Sequence, residues 1–202
     1  MTNPLLTCLI LLLCGGFPLY AEDELTLFSS SLYEGNQSHS GPLGVSLSIK
    51  EPILITEVGA FESNPRAPFL IRVAVYDNST KQLVPGTKIY EITRENANRE
   101  GDYRFTSVEQ ITLNPGSYML VAQGYTNDQQ NGNQYCGGNG PSVDGGDLIS
   151  IEASYWNHGA MSYPTRTDDK QNAYHAANIK FRGLSSSTGS GLKTSPGMRT
   201  TR

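Results

Sequence analysis

The stretch from Ile53 to Tyr125 constrains the fold most, because apolar and polar residues alternate there in successive short segments. Alternation with a period of two is typical of β-strands that bury one face and expose the other. Turn-forming sequences rich in Gly, Pro, Asn and Asp separate the segments. The pattern predicts four or five consecutive strands, with the sequences ILITEVGAF, FLIRVAVYD, TKIYEIT, YRFTSVEQITL and SYMLVAQGY.

The segment Phe69–Asp77 shows how the two faces of such a strand are expected to divide. Its alternate residues are apolar and should face the core, as a half-buried antiparallel strand requires. The segment Ile53–Phe61 alternates less cleanly because Glu57 and Gly59 interrupt one face, which indicates a bulge or a strand end. In Phe69–Asp77 the predicted core-facing residues are Phe69, Ile71, Val73 and Val75.

The sequence Asn-Pro-Gly-Ser at positions 114–117 is typical of a type II turn, with Pro115 and Gly116 at its centre. We therefore expect Tyr103–Leu113 and Ser117–Gly124 to form a hairpin. Further strands are expected at residues 25–30, 43–49, 147–154 and 178–182. Short strands with frequent turns predict a single all-β antiparallel β-sandwich, jelly-roll-like, of about eight or nine strands.

Residues 1–21 are predicted to be a secretory signal peptide, because the apolar run Leu5–Leu13 is too short to span a bilayer and Ala21 offers a small residue for cleavage. An uncleaved hydrophobic anchor is the alternative. Residues 22–182 form the predicted β-sandwich domain. Residues 183–202 lack an apolar pattern and are predicted to be a disordered tail. The mature chain is therefore expected to be secreted, with no membrane span.

Charge excludes one class of partner. The chain of 202 residues has a formal net charge of −4. All 19 acidic residues and 12 of the 15 basic residues lie in residues 22–182, so this body carries −7 and the tail +3. An acidic body argues against nucleic acid as the partner.

Several short sequences within residues 43–182 together resemble a family. The chain is similar to β-sandwich modules of unknown function found in secreted bacterial proteins, many of which carry a C-terminal Pro-Glu-Pro sorting tag. This tail lacks that tag. The resemblance implies a jelly-roll-like fold and an extracellular location, with no established chemistry. It rests on Val58–Phe61, Val73–Asp77, Leu113–Tyr118, Tyr163-Pro164 and Asn178–Phe181.

Aromatic side chains in the C-terminal half are candidates for a glycan-binding surface, because flat rings beside polar groups suit the faces of sugars. Trp156 is the only Trp and lies in a polar segment predicted to be a loop. The alternative explanation is that most of these Tyr side chains are core residues and that the His is a solvated loop residue. The predicted ligand-binding residues are Trp156, Tyr155, Tyr163, Tyr135 and His158.

Calcium is a candidate cofactor. Asp128, Asp144 and Asp147 lie in one long segment rich in Asn and Gly, and Ca²⁺ binds carboxylate and amide oxygens. The alternative is that Asp and Asn form turns there. His39, His158 and His175 do not have the spacing of a zinc site.

Cys136 is the one Cys outside the leader, so it could form a disulfide between two chains or remain a free thiol. Asn36 and Asn78 begin two N-glycosylation sequons in predicted loops.

These residues support three hypotheses of function. The first is a secreted, non-catalytic binding or adhesion module with a glycan ligand at its C-terminal loops. The second is a structural protein of the extracellular matrix that binds other proteins. The third, which we favour least, is a carbohydrate-active enzyme in which two carboxylates such as Asp144 and Asp168 act as acid and base.

Overall fold

The computed structural model describes residues 23–29, 35–133, 145–167 and 174–184, which contain thirteen β-strands and no helix. Four of the strands have only two residues, so the expected number of eight or nine is not confirmed. The strands are β1 (Leu25–Thr26), β2 (Leu43–Ile49), β3 (Ile53–Phe61), β4 (Leu70–Asp77), β5 (Tyr90–Thr93), β6 (Asn98–Glu100), β7 (Tyr103–Leu113), β8 (Gly116–Gln123), β9 (Gly132–Asn133), β10 (Ile149–Trp156), β11 (Arg166–Thr167), β12 (Tyr174–His175) and β13 (Ala177–Gly183).

The strands form two main antiparallel sheets. The order is β1-β13-β3-β7-β6 in the five-stranded sheet and β11-β10-β2-β8-β4-β5 in the six-stranded sheet, and β9 pairs with β12 in a small separate ladder. Apolar side chains of both large sheets meet in one core. The predicted all-β antiparallel sandwich is therefore confirmed, whereas the jelly-roll topology stays a prediction.

The interruption in β3 is a bulge, as its sequence indicated. The register against β7 shifts between Ile55 and Glu57. Ile55 and Val58 are both fully buried, so the spacing between core residues increases from two to three at this point. The extra residue moves Glu57 out of the core face. Its carboxylate lies 3.0 Å from Nζ of Lys180.

Strand β4 faces the core as predicted. Its predicted core-facing residues belong to the large apolar cluster, and Val73 is fully buried. The opposite face differs from the expectation, because Ala74 and Tyr76 on that face are also buried. Met161 and Tyr163 from the segment after β10 pack over them.

The predicted hairpin between β7 and β8 is wrong. Strand β7 pairs with β3 and β6 in one sheet, whereas β8 pairs with β2 and β4 in the other. The positive φ that a type II turn needs at Gly116 is also absent, and Gly116 is the first residue of β8. The sequence around Pro115 thus carries the chain from one sheet to the other.

Strands β2, β4 and β7 begin at one end of the sandwich, and strands β3, β8 and β10 finish there. We call this end of the sandwich the loop end. A fully buried carboxylate, Glu62, lies there directly after β3. Its oxygens are 2.9 Å from Nε of Arg94, 2.9 Å from Nε of Arg104 and 3.3 Å from Nε of Arg99. Because these arginines come from β6, β7 and the connection after β5, the cluster ties both sheets together at this end.

Side-chain amides pair with backbone groups at several places. Asn178 accepts from the N–H of Phe28 at 3.0 Å and donates to its C=O at 2.9 Å. Asn36 pairs in the same way with Asn133, at 2.7 Å for both bonds. Each amide occupies both hydrogen-bonding groups of one residue, as a neighbouring strand would.

The folded domain extends slightly beyond the predicted boundary at residue 182, since β13 ends at Gly183 and the N–H of Leu184 donates to Pro52 at 2.8 Å. The described part of the chain has no helix long and apolar enough to cross a membrane. The predicted signal peptide, the rest of the predicted tail and Cys136 lie outside the described residues.

Val73→Asp should unfold the domain or lower its free energy of unfolding by more than about 3 kcal/mol, because it buries an unpaired carboxylate. Arg72→Asp, on the opposite face, should lower that free energy by no more than about 1 kcal/mol, because the Arg72 side chain is 40% exposed and loses only a surface ion pair. Urea denaturation measures both. Equal tolerance of the two changes would contradict the facing of β4.

Asn178→Ala should lower the free energy of unfolding by about 2–4 kcal/mol, because the buried N–H and C=O of Phe28 lose their partner. Asn114→Ala is the control, since Asn114 is exposed and only its backbone oxygen accepts a hydrogen bond, from Tyr118. Thermal and urea denaturation of both variants test this. Similar small losses would show that the Phe28 groups find other partners.

Candidate functional site

Trp156 lies at the end of β10 and not in a loop, which corrects its predicted setting. Its backbone is opposite Leu43 of β2 on one side and Arg166 of β11 on the other. The indole is half-buried and packs against the main core. Trp156 is therefore held by strand pairing on both sides.

Arg166 covers the indole. Its guanidinium carbon lies over the Trp156 ring, 4.8 Å from the ring centroid. Cross-strand neighbours project to the same face of a sheet, which explains why the two side chains meet. The attraction between a guanidinium and an indole face stabilises this contact.

Two imidazole rings complete the cluster. His158 lies 5.1 Å from Trp156 between ring centroids and almost perpendicular to it, at 81°. His39 lies 5.9 Å from Trp156 and 5.6 Å from His158. We call Trp156, Arg166, His39 and His158 the Trp156 cluster.

The backbone of Asn157 fixes the position of His39. Its N–H donates to the C=O of Pro42 at 3.0 Å, and its C=O accepts from Nε2 of His39 at 2.8 Å. A Cβ at Gly41 would lie 2.1 Å from that same carbonyl oxygen, so only glycine permits this approach. The chain before β2 is thereby clamped against the chain after β10.

Tyr155 and Tyr163 do not join the cluster, contrary to their grouping with Trp156 and His158 in the sequence prediction. Both pack in a second apolar cluster with Tyr76 and Met119 on the outer face of the six-stranded sheet. Consecutive strand residues point to opposite faces, so Tyr155 and Trp156 cannot share one surface. Burial raises the pKa of the Tyr163 hydroxyl, with a smaller effect from Tyr155.

The Tyr163 hydroxyl donates to Asn78 at 3.1 Å, and the Asn78 amide donates to Ser46 at 2.9 Å and Ser117 at 2.7 Å. The side chain of this sequon residue is thus fully engaged in the folded domain, as is that of Asn36 in its pairing with Asn133.

The predicted calcium ligands are not brought together. Asp128 follows β8 at the loop end, whereas Asp147 precedes β10 at the opposite end, where the neighbouring Leu148 accepts from the N–H of Lys50. Among the described residues, no group of three or more His, Cys, Asp or Glu could hold a metal ion. Asp144 and Tyr135, like the proposed acid–base partner Asp168, lie outside the described residues.

A cleft of about 490 Å³ opens between the edge strand β5 and strand β7. Tyr90 and two carboxylates, Glu91 and Glu109, line part of it. Glu91 pairs with Arg72 at 3.0 Å.

The Trp156 cluster includes one cationic side chain. Arg166 forms no ion pair with any residue that the structure describes. The body as a whole is acidic, with −7 over residues 22–182. The guanidinium of Arg166 and the imidazole of His158 offer hydrogen-bonding groups at one place on the loop end, whereas Nε2 of His39 is already bonded to Asn157.

Sequence reasoning found Trp156 and His158 but missed His39 and Arg166. His39 lies far from Trp156 in sequence and joins it only because β2 pairs with β10. Arg166 falls in a segment without alternation, so β11 had no signal in the sequence. No local pattern could have identified either residue.

Comparison with known proteins does not assign the chain to a family. A scan against protein-family models finds no match to this sequence, and a search of curated proteins finds no significant match either. The resemblance to secreted bacterial β-sandwich modules stays a prediction.

Gly41→Ala should displace the chain around Asn157, lower the free energy of unfolding by about 1–3 kcal/mol and shift the emission of the single Trp. Gly116→Ala is the control, because a Cβ there would approach no closer than 3.4 Å, to the Tyr118 ring. Denaturation and intrinsic fluorescence test both. An unchanged emission spectrum in Gly41→Ala would contradict the clamp described above.

Proposed function

We propose that this chain is a secreted, non-catalytic binding module that holds an extracellular glycan at its loop end. The observation that carries the proposal is the Trp156 cluster, in which one indole, one guanidinium and two imidazoles converge on a rigid framework of paired strands. Glycan recognition needs hydrogen-bond donors at fixed positions, and this cluster supplies them on an aromatic framework.

Rigidity of the cluster favours binding. Trp156 is positioned by two strand partners, and His39 by a hydrogen bond to the backbone of Asn157. Groups that are already ordered lose little conformational entropy when a ligand binds. A site built in this way suits a weak, repeated contact with a polysaccharide as well as a single tight contact.

The leader-like sequence of residues 1–21 supports an extracellular location, where glycans are abundant. The ion pairs of Glu62 with Arg94, Arg99 and Arg104 at the loop end support a stable folded module. A matrix protein that binds other proteins through the same surface is the competing proposal, and a glycan array discriminates between the two.

Trp156→Ala should weaken glycan binding by about tenfold or more, because it removes the surface on which Arg166 and both histidines rest. It should also lower the free energy of unfolding by about 1–3 kcal/mol, since a half-buried indole is lost from the edge of the core. Binding to a glycan array and urea denaturation measure the two effects.

Tyr118→Ala is the matched control, because Tyr118 is also a half-buried aromatic at the edge of the same core but belongs to β8, near the opposite end. It should lower stability similarly and leave binding unchanged. Binding losses of the same size in both variants would show that stability alone accounts for the effect. Absence of any bound glycan with the wild-type protein would refute the proposed function.

A further inference from the structure

We infer that the ligand of the loop end is an acidic glycan, and that Arg166 binds its carboxylate or sulfate groups through a guanidinium held over the Trp156 ring. This inference rests on the proposed function and narrows it to one class of glycan. It also changes the expected role of Trp156 from a platform for sugars to a positioning residue for Arg166.

The N–H groups of Arg166 are available to a ligand within the part of the chain that the structure describes. Its guanidinium carbon lies 4.8 Å from the indole centroid, and the residue is exposed. No ion pair among the described residues uses this guanidinium. A planar guanidinium binds carboxylate and sulfate-like oxyanions with two parallel hydrogen bonds.

Arg166 is not neutralised in the part of the chain that the structure describes. Six other basic side chains there are held by carboxylates, whereas Lys50, Arg66, Lys81 and Lys88 are not: Arg72 pairs with Glu91, Arg94, Arg99 and Arg104 with Glu62, Lys180 with Glu57 and Glu100, and Arg182 with Glu24. Arg166 lies over Trp156, with His39 and His158 beyond the indole. The Trp156 cluster can therefore accept a negative charge without breaking an ion pair that the structure describes.

Neutral sugars fit this site less well. A neutral pyranose gains affinity mainly by stacking on an uncovered aromatic face. Arg166 already covers a face of the indole, and the ring packs against the core and both imidazoles. The donors left to contact a ligand are mainly the N–H groups of Arg166, which favour oxyanions. The acidic body repels anionic polymers elsewhere and so directs them to this end.

The test uses a glycan array of matched pairs, in which each sulfated or carboxylated oligosaccharide is accompanied by its desulfated or carboxyl-reduced counterpart. Binding is measured at about 0.15 M salt, because salt screens nonspecific electrostatic attraction. The wild-type protein should bind acidic members at least about tenfold more tightly than their neutral counterparts. Arg166→Gln should remove most of this preference. Quenching or a shift of the single Trp emission in solution gives an independent readout.

Arg66→Gln is the matched control. Arg66 is exposed, lies in a loop of the same end and makes no ion pair within the described residues, so the variant changes net charge by the same amount away from Trp156. It should keep the preference for acidic glycans. Equal losses in the two variants would show that net charge alone causes the preference and would overturn the inference.

The positioning role of Trp156 has its own comparison. Trp156→Phe and Trp156→Leu both keep apolar packing, but only phenylalanine retains a ring face for the guanidinium. The preference for acidic glycans should persist in Trp156→Phe and fall in Trp156→Leu at similar stability. Equal binding of acidic and neutral members by the wild-type protein would overturn this inference and leave the proposed function standing. Absence of binding to every member would overturn both.

Discussion

Several backbone groups at the loop end have no neighbouring strand on one side, and those that are buried need a hydrogen-bond partner. Side-chain amides meet this need repeatedly. Asn178 pairs with Phe28, Asn36 with Asn133, and Gln129 with Asn64, each time at both the N–H and the C=O. An amide side chain can imitate a neighbouring strand where the chain is too irregular to supply one. The loops that surround the candidate site depend on these pairings for their positions.

The Trp156 cluster depends on strand pairing in the same way. Neighbouring residues of a strand have their side chains on opposite faces of the sheet. Tyr155 therefore packs in the outer apolar cluster, whereas Trp156 contacts the histidines. The pairing of β10 with β11 then places Arg166 over the indole. The Trp156 ring thus has two roles. It completes the edge of the core, and it holds the Arg166 guanidinium at the surface.

The segment between β10 and β11 links the two surfaces. Near its start His158 contacts Trp156, and further along Met161 and Tyr163 cover the outer face of the six-stranded sheet. The Gln123 side chain donates to Gly159 within the segment at 2.9 Å, which attaches it to β8. This attachment holds the segment against the sheet, and it ties the geometry of the site to the stability of the sheet.

The sequence by itself determined the class of fold and most of the long strands. The limits of β2 and β7 follow from alternation, and the interruption in β3, which indicated a bulge or a strand end, is a bulge. Alternation does not determine which strands are neighbours in a sheet. The Pro115 turn therefore suggested a hairpin where the chain changes sheets, and two of the predicted calcium ligands, Asp128 and Asp147, lie at opposite ends of the sandwich. Only the tertiary structure could bring His39 and Arg166 to Trp156, since contacts between distant strands depend on sheet order and register, which are properties of the whole packed chain.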